Sequence, residues 1–260
     1  MRNFWTEKEY IILRENYNNN TIEELLVKLP NRTWEAIKIQ ASKLGLPRSL
    51  SFSRESKIEN LLSGSLESFY WIGFILADGH ISNNKRLRIV LSILDVDHLN
   101  KFADFIKTKI IIREHYDPPT VELTSQNIEV IPTLTQIFDI KSNKTIYPPD
   151  FNEYVFTEEQ LLALIIGFID GDGNIQKLVN RNDVNLRIKC HKSWLSNLIF
   201  IEDFLYSTFV YDKKVDRLAK INNQGYANLV ISNNRLIREL KIFAEDEKLP
   251  ILARKWNKVT

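Results

Sequence analysis

Apolar residues recur at helical spacing three times in the opening part of the chain. Tyr10, Leu13 and Tyr17 share one face, and Thr6 with Glu9 forms a capping box ahead of them. Leu25, Leu26 and Leu29 make a second stripe, with Thr21 as its cap and Glu24 in the box position. Ile37, Ala41 and Leu44 make a third, opened by Thr33 and stopped by Gly45. The pattern then breaks. The stretch between Pro47 and Gly64 is serine-rich and charged, and it reads as a linker with one helical turn around residues 58–62.

Beyond that stretch the hydrophobic pattern plays twice. Residues 66–77 are apolar on nearly all sides, which predicts a buried helix. Strict alternation follows, with Leu87, Ile89, Leu91 and Ile93 facing one way and Arg86, Arg88, Val90 and Ser92 the other. Leu99, Phe102 and Phe105 mark an amphipathic helix. Strands are expected at 110–114 and 121–124, joined across Asp117-Pro118-Pro119, and then a helix over 127–138 that contains Pro132. The second copy starts from an apolar run at 161–169. Leu186, Ile188 and Cys190 alternate with Arg187, Lys189 and His191. A helix over 193–206, strands at 215–221 and 226–232, and a helix over 235–244 complete it. Its first hairpin is longer, around 179–185. The expected fold is α+β: a pseudo-twofold tandem αββαββα core with repeats at 66–152 and 153–260. A linker at 49–65 and a small three-helix domain at 1–48 precede it.

Composition narrows the setting. A chain of 260 residues, 44% hydrophobic and 26% charged, is ordinary for a soluble globular protein. The oiliest runs, 69–77 and 161–169, are too short to cross a bilayer, so no membrane partner is expected. The single cysteine, Cys190, fits a reducing compartment, and residues 1–10 lack a secretory h-region. The expectation is a monomer in a bacterial or phage-infected cytoplasm or an organellar matrix, not a secreted protein. The net charge of +2 neither demands nor excludes nucleic acid, because the placement of charge decides that.

Each long apolar run ends in aspartate followed by glycine, at Asp78 and Asp172. Gly73 and Ala77 lie one helical turn apart, as do Gly167 and Gly171, so each helix carries a face with almost no side chain. An interior glycine costs a helix about 1 kcal/mol relative to alanine. Close approach of two backbones is the simplest return on that cost. Packing by those faces brings the helix C-termini, and both carboxylates, together. Two carboxylates at the negative ends of two helix dipoles repel each other. Divalent cations relieve both penalties, hard oxygen ligands suit Mg2+, and such a site suits phosphodiester hydrolysis.

Polar strand positions point to the substrate. Arg86, Arg88, Ser92, Arg187, Lys189 and His191 occupy the faces opposite the core, and Lys213, Lys214, Arg217 and Lys220 add charge to a later strand. Two adjacent basic sheets can follow the groove of double-stranded DNA. For any single residue a solvated sheet face is the better explanation of the charge; for the set, the matched alternation in both copies weakens that explanation. The third N-terminal helix, with Arg32, Lys38, Gln40 and Lys43, suits a helix-turn-helix entering a groove, against a bland three-helix interaction module.

The segments WIGFILADG at 71–79 and IIGFIDGDG at 165–173 resemble the paired signature of LAGLIDADG homing endonucleases, in their single-chain, two-motif form. The resemblance covers residues 66–260, and the run from Lys144 to Pro149 is similar to the stretch that precedes the second signature in many members. The N-terminal pattern resembles Myb/SANT-like DNA-binding domains. The resemblance implies a metal-dependent double-strand break at a long pseudo-symmetric DNA target. It implies that Asp78 and Asp172 bind Mg2+ with help from the carbonyls of Ala77 and Gly171, and that a strand lysine, Lys189, acts near the metals. The sequence departs from the family pattern at Leu76, where Asp170 keeps the usual acid in the other copy. An intron RNA maturase, with intron RNA as partner, and a non-cutting DNA-binding regulator are the alternatives. An EF-hand reading of Asp170, Asp172 and Asn174 fails, because Ile175 and Arg181 stand where glycine and glutamate are required.

Overall fold

The computed structural model describes residues 5–17, 20, 22–46, 56–113, 118–178, 183–210 and 216–260. The chain forms two compact units, residues 1–56 and 57–260.

The first unit holds three helices, α1 (Glu7–Asn16), α2 (Ile22–Lys28) and α3 (Trp34–Lys43). The Thr6–Glu9 capping box is formed, and the Thr33 hydroxyl accepts the Ala36 N–H. Leu13, Leu25, Leu29, Ile37 and Ala41 bury together as a separate core. Thr21, read as the cap of α2, lies outside the described residues.

The second unit repeats one motif. Helix α4 (Leu66–Asp78) runs directly into β1 (Gly79–Ser82) and β2 (Arg86–Ser92). Then come α5 (Val96–Phe105), β3 (Ile111–Arg113), β4 (Thr120–Gln126) and α6 (Val130–Ile137). The second copy is α7 (Glu158–Asp172), β5 (Gly173–Lys177), β6 (Val184–His191), α8 (Leu195–Phe209), β7 (Lys220–Ile221), β8 (Tyr226–Ile231) and α9 (Asn234–Asp246), followed by a short α10 (Ala253–Trp256). Each copy carries one four-stranded antiparallel sheet, in the orders β1-β2-β4-β3 and β5-β6-β8-β7. The architecture is α+β. Burial alternates strictly along β2, so its apolar set faces the core and its arginines face outward. No helix among the described residues is long and apolar enough to cross a membrane.

Three expectations need correction. Residues 57–65 belong to the second unit rather than to a linker: Ile58 and Leu61 are buried in its core, and Lys57 N–H bonds the Ile106 carbonyl at 2.7 Å. Helix α6 starts at Val130 because Asn127 Oδ1 accepts the N–H groups of Glu129 and Val130, which places Pro132 harmlessly in the first turn. Strand β7 is only Lys220–Ile221. Upstream, the N–H groups of Leu218 and Ala219 bond the buried Glu202 carboxylate on α8 instead of a strand. The segment after α9, for which the sequence pattern predicts no element, packs into the core through Trp256 and Val259.

Candidate functional site

Helices α4 and α7 meet along their small-residue faces. A Cβ built at Gly73 would overlap the Leu164 carbonyl, and one built at Gly167 would overlap the Tyr70 carbonyl. These contacts are reciprocal, each glycine lying against a carbonyl one turn back on the partner. At the C-terminal ends a Cβ on Gly171 would collide with that of Ala77. No alternative residue fits at the two crossing glycines without prying the helices apart.

The acids follow from that packing. Asp78 and Asp172 are the last helical residues, and both are exposed at the helix ends even though neighbouring protein crowds their carboxyls. Desolvation pushes the Asp78 carboxyl up to about 6, and the charge of Asp172 adds to the effect; Lys255 and Lys144 oppose it. Desolvation also raises Asp172, against Lys144, the Cys190 thiol and Lys255. Cys190, on the inner face of β6, points its Sγ at Asp172 Oδ2 at 3.8 Å. A cavity of about 400 Å³ opens beside Asp172, lined by Ala77, Lys144, Lys189, His191 and Tyr226 among others.

Two lysines at the site escaped the sequence reading. Lys144 Nζ donates to the Ala77 carbonyl at 3.0 Å. Lys255 Nζ, 4% exposed, donates to the carbonyls of Ile169, Asp170 and Gly171, the last at 3.1 Å. The two copies thus place an ammonium on the carbonyl just before each acid, at the negative end of each dipole. Lys144 sits in the segment singled out between the repeats, so a signal existed for it. Lys255 had none, because it lies in the aperiodic tail. The lysine expected there, Lys189, shares the cavity wall but bonds Gln224 Oε1 at 2.7 Å and lies 4.4 Å over the Tyr226 ring.

Asp170 is buried and holds the tail in place. It accepts from Tyr70 Oη at 2.7 Å, Leu252 N at 2.9 Å and Trp256 Nε1 at 2.7 Å. Arg254 in the same tail grips Asp95 with two hydrogen bonds. Residues of both copies therefore position Lys255.

The sheet faces divide unevenly. On the second sheet Asn174 pairs with Arg187 and Lys189 with Asn228, and Arg187 is exposed. On the first, Arg86 is exposed, while Arg88 grips Glu122 through two 3.0 Å bonds. Ser92 and His191 end their strands as caps, accepting the N–H groups of Leu94 and Ser193. Arg217 departs from expectation: it leaves the sheet face for Asp203, 2.6 Å away on α8. Lys213 and Lys214 lie outside the described residues. In the first unit Arg32 is also displaced from its expected place. It precedes α3, bonds Glu9 at 2.7 and 2.9 Å and lies 4.6 Å over the Trp5 ring, with 7% of its side chain exposed. Its bonds hold the Glu9 carboxyl down at about 2. Gln40 turns inward to Tyr10, 3.3 Å away. Lys38 and Lys43 face solvent.

The donor set fits a divalent cation. Two carboxylates and two main-chain carbonyls are hard oxygens, and both carbonyls already attract ammonium groups. Among the described residues no group of three or more His, Cys, Asp or Glu side chains gathers. A cation there would complete its shell with water and substrate oxygens, as Mg2+ commonly does.

No protein-family model matches the chain, and no curated protein matches it. Solved structures do resemble it. The meganuclease I-SmaMI bound to uncleaveable DNA is 11% identical with a TM-score of 0.48, over 73% of this chain and 88% of that one. The LAGLIDADG meganuclease I-AabMI bound to uncleaved DNA is 15% identical with a TM-score of 0.48, over 74% and 87%. The LAGLIDADG homing endonuclease I-GzeII in complex with a DNA target is 12% identical with a TM-score of 0.46, over 73% and 86%.

Proposed function

We propose that the chain is a site-specific, metal-dependent DNA endonuclease of the homing type, cutting both strands at a long pseudo-symmetric target. The observation that carries this reading is the reciprocal glycine packing that sets Asp78 and Asp172 side by side at the junction of the two copies. Two like charges held together by the most constrained contact in the unit make sense around cations rather than as a structural pair.

Asp78 and Asp172, with the carbonyls of Ala77 and Gly171, would hold the cations. Mg2+ bound there supplies an activated water and charge neutralisation for phosphodiester hydrolysis. Lys144 lines the cavity beside Asp172 and can donate to a phosphate oxygen entering it. Lys255 fixes the end of α7 and neutralises its dipole. The outward residues of the two sheets, Arg86, Arg88, Arg187 and Lys189 among them, would follow the groove. Lys38 and Lys43 on α3 would extend the contact as a Myb-like helix-turn-helix does.

The test is cleavage of a target drawn from a randomised duplex library. Asp78→Asn and Asp172→Asn are expected to bind that target within a few-fold of the wild-type chain and to make no double-strand break. Double-strand cutting by either variant would overturn the assignment. Intron splicing without DNA cutting would move it to the maturase reading.

A further inference from the structure

Glu122 stands on β4, opposite Val90 in the register, on the outward face that also carries Arg88 and Thr124. Its side chain is 6% exposed because two guanidiniums close over it. Arg88 donates through Nε and Nη2, one to each carboxylate oxygen at 3.0 Å; Arg113, from β3, donates through Nε at 3.4 Å. The Thr124 hydroxyl adds a fourth donor group at 3.0 Å. Between copies the position differs in kind. Val90 corresponds to Lys189, and the residue opposite Lys189 is the neutral Asn228.

A carboxylate is out of place on a face that meets phosphates, since it weakens the attraction the arginines provide. It offers something a neutral side chain cannot. A bidentate carboxylate fixes the plane of a guanidinium, where an unbraced arginine samples many rotamers and settles on the nearest phosphate. Phosphate contacts give affinity without sequence choice. A guanidinium already held in one plane loses less freedom on binding. Guanine presents O6 and N7 as a pair of acceptors matched to an arginine edge. Arg88 is bonded through Nε and Nη2 to one carboxylate while 44% of its side chain remains exposed, so its guanidinium is held in one plane at the surface.

We propose that Glu122 is a specificity-determining positioning residue. It braces Arg88 and Arg113 so that the half of the target under the first sheet is chosen at a G·C pair, at the expense of overall affinity. This rests on the reading of both sheets as a duplex-binding face.

The test uses the full chain in magnesium-free buffer. Duplexes are selected from a randomised pool, and affinities are then measured across salt concentrations for the wild-type chain, Glu122→Gln, Glu122→Asp and Arg88→Gln. Glu122→Gln is expected to bind non-selected duplex more tightly at low salt, because one negative charge leaves the face. Its log-affinity against log-salt slope should steepen by about 0.9. Its preference for the G·C pair should fall about tenfold, with choices in the other half unchanged. Arg88→Gln should lose the same preference without the gain in affinity, and Glu122→Asp should keep part of it. Unchanged preferences in Glu122→Gln overturn the proposal. So does a uniform loss of affinity over both halves, which is what a merely structural carboxylate would give. Failure of the wild-type chain to select any duplex overturns the duplex-binding reading itself.

Discussion

The Nζ of Lys144 lies 3.0 Å from the carbonyl oxygen of Ala77, one residue before Asp78, and Lys255 holds the matching relation to Gly171 before Asp172. Two helices ending side by side concentrate negative potential, and the fold answers with one ammonium at each end. The two are not equivalent. Lys144 lines an open cavity, whereas Lys255 is buried among three carbonyls. Lys144→Met is therefore expected to fold normally and to slow single-turnover DNA cleavage on the order of 10²-fold. Lys255→Met is expected to lower unfolding free energy by about 3 kcal/mol, because it strips the ammonium from the carbonyls of Ile169, Asp170 and Gly171. Denaturant unfolding and single-turnover cleavage of both variants separate the two roles.

The crossing glycines admit a stability test. In Gly167→Ala the new methyl meets the Tyr70 carbonyl, main chain that cannot rotate away. We expect a loss of about 3 kcal/mol or more, or failure to fold, measured by thermal or denaturant unfolding. Gly225, in a turn at φ 79° with open space around it, serves as the control: its alanine variant suffers only backbone strain, about 1–2 kcal/mol.

Asp170 ties copy to copy through Tyr70, Leu252 and Trp256. Asp170→Ala leaves the buried N–H groups of Leu252 and Trp256 without their acceptor, leaves the Tyr70 hydroxyl to His98 Nε2, 3.3 Å away, and frees the tail that carries Lys255. The expected cost is about 3 kcal/mol or more. Limited proteolysis should show earlier cleavage after residue 249 in the variant than in the wild-type chain.

His98 makes stability depend on acid. It is buried against Trp71 and Phe74, and burial pushes its imidazole down to about 3. The unfolded chain takes up that proton near pH 6.5, the folded chain only near 3. The contribution of neutral His98 is thus complete above about 6.5 and lost as pH falls toward 3, at about 1.4 kcal/mol per pH unit. Asp78 and Asp172, raised acids, act in the opposite sense, gaining stability as pH falls. The difference between the wild-type chain and His98→Phe isolates the histidine. The variant should gain on the wild-type chain as pH drops from 6.5 to 4; a constant gap would contradict the assignment.

What the sequence disclosed, and what it withheld, follows from how far apart interacting residues lie. The twin acids, the glycine faces and the alternating strands are local patterns, and period alone exposes them. Arg32, Arg88 and Arg217 look alike in a sequence, since each is a basic residue whose neighbours in the chain do not reveal its partner. Their partners Glu9, Glu122 and Asp203 are set by folding, and pairing with them takes Arg32 and Arg217 off the expected binding face. The tail from Leu249 to Thr260 carries no periodicity because it is held by scattered long-range bonds to Asp170, Asp95 and the α7 carbonyls and by burial of Trp256 and Val259. Lys255 was hidden for that reason, and Lys189, on a clean strand, was the more legible candidate.

The central claim is that the two acids jointly hold cations over a scissile phosphate. The most direct measurement is anomalous scattering from crystals of the full chain with a selected duplex and Mn2+. Manganese peaks are expected in coordination contact with both Asp78 and Asp172, with the duplex backbone at the same peaks. Bound duplex with no manganese at either aspartate, or manganese held elsewhere on the chain, would contradict it.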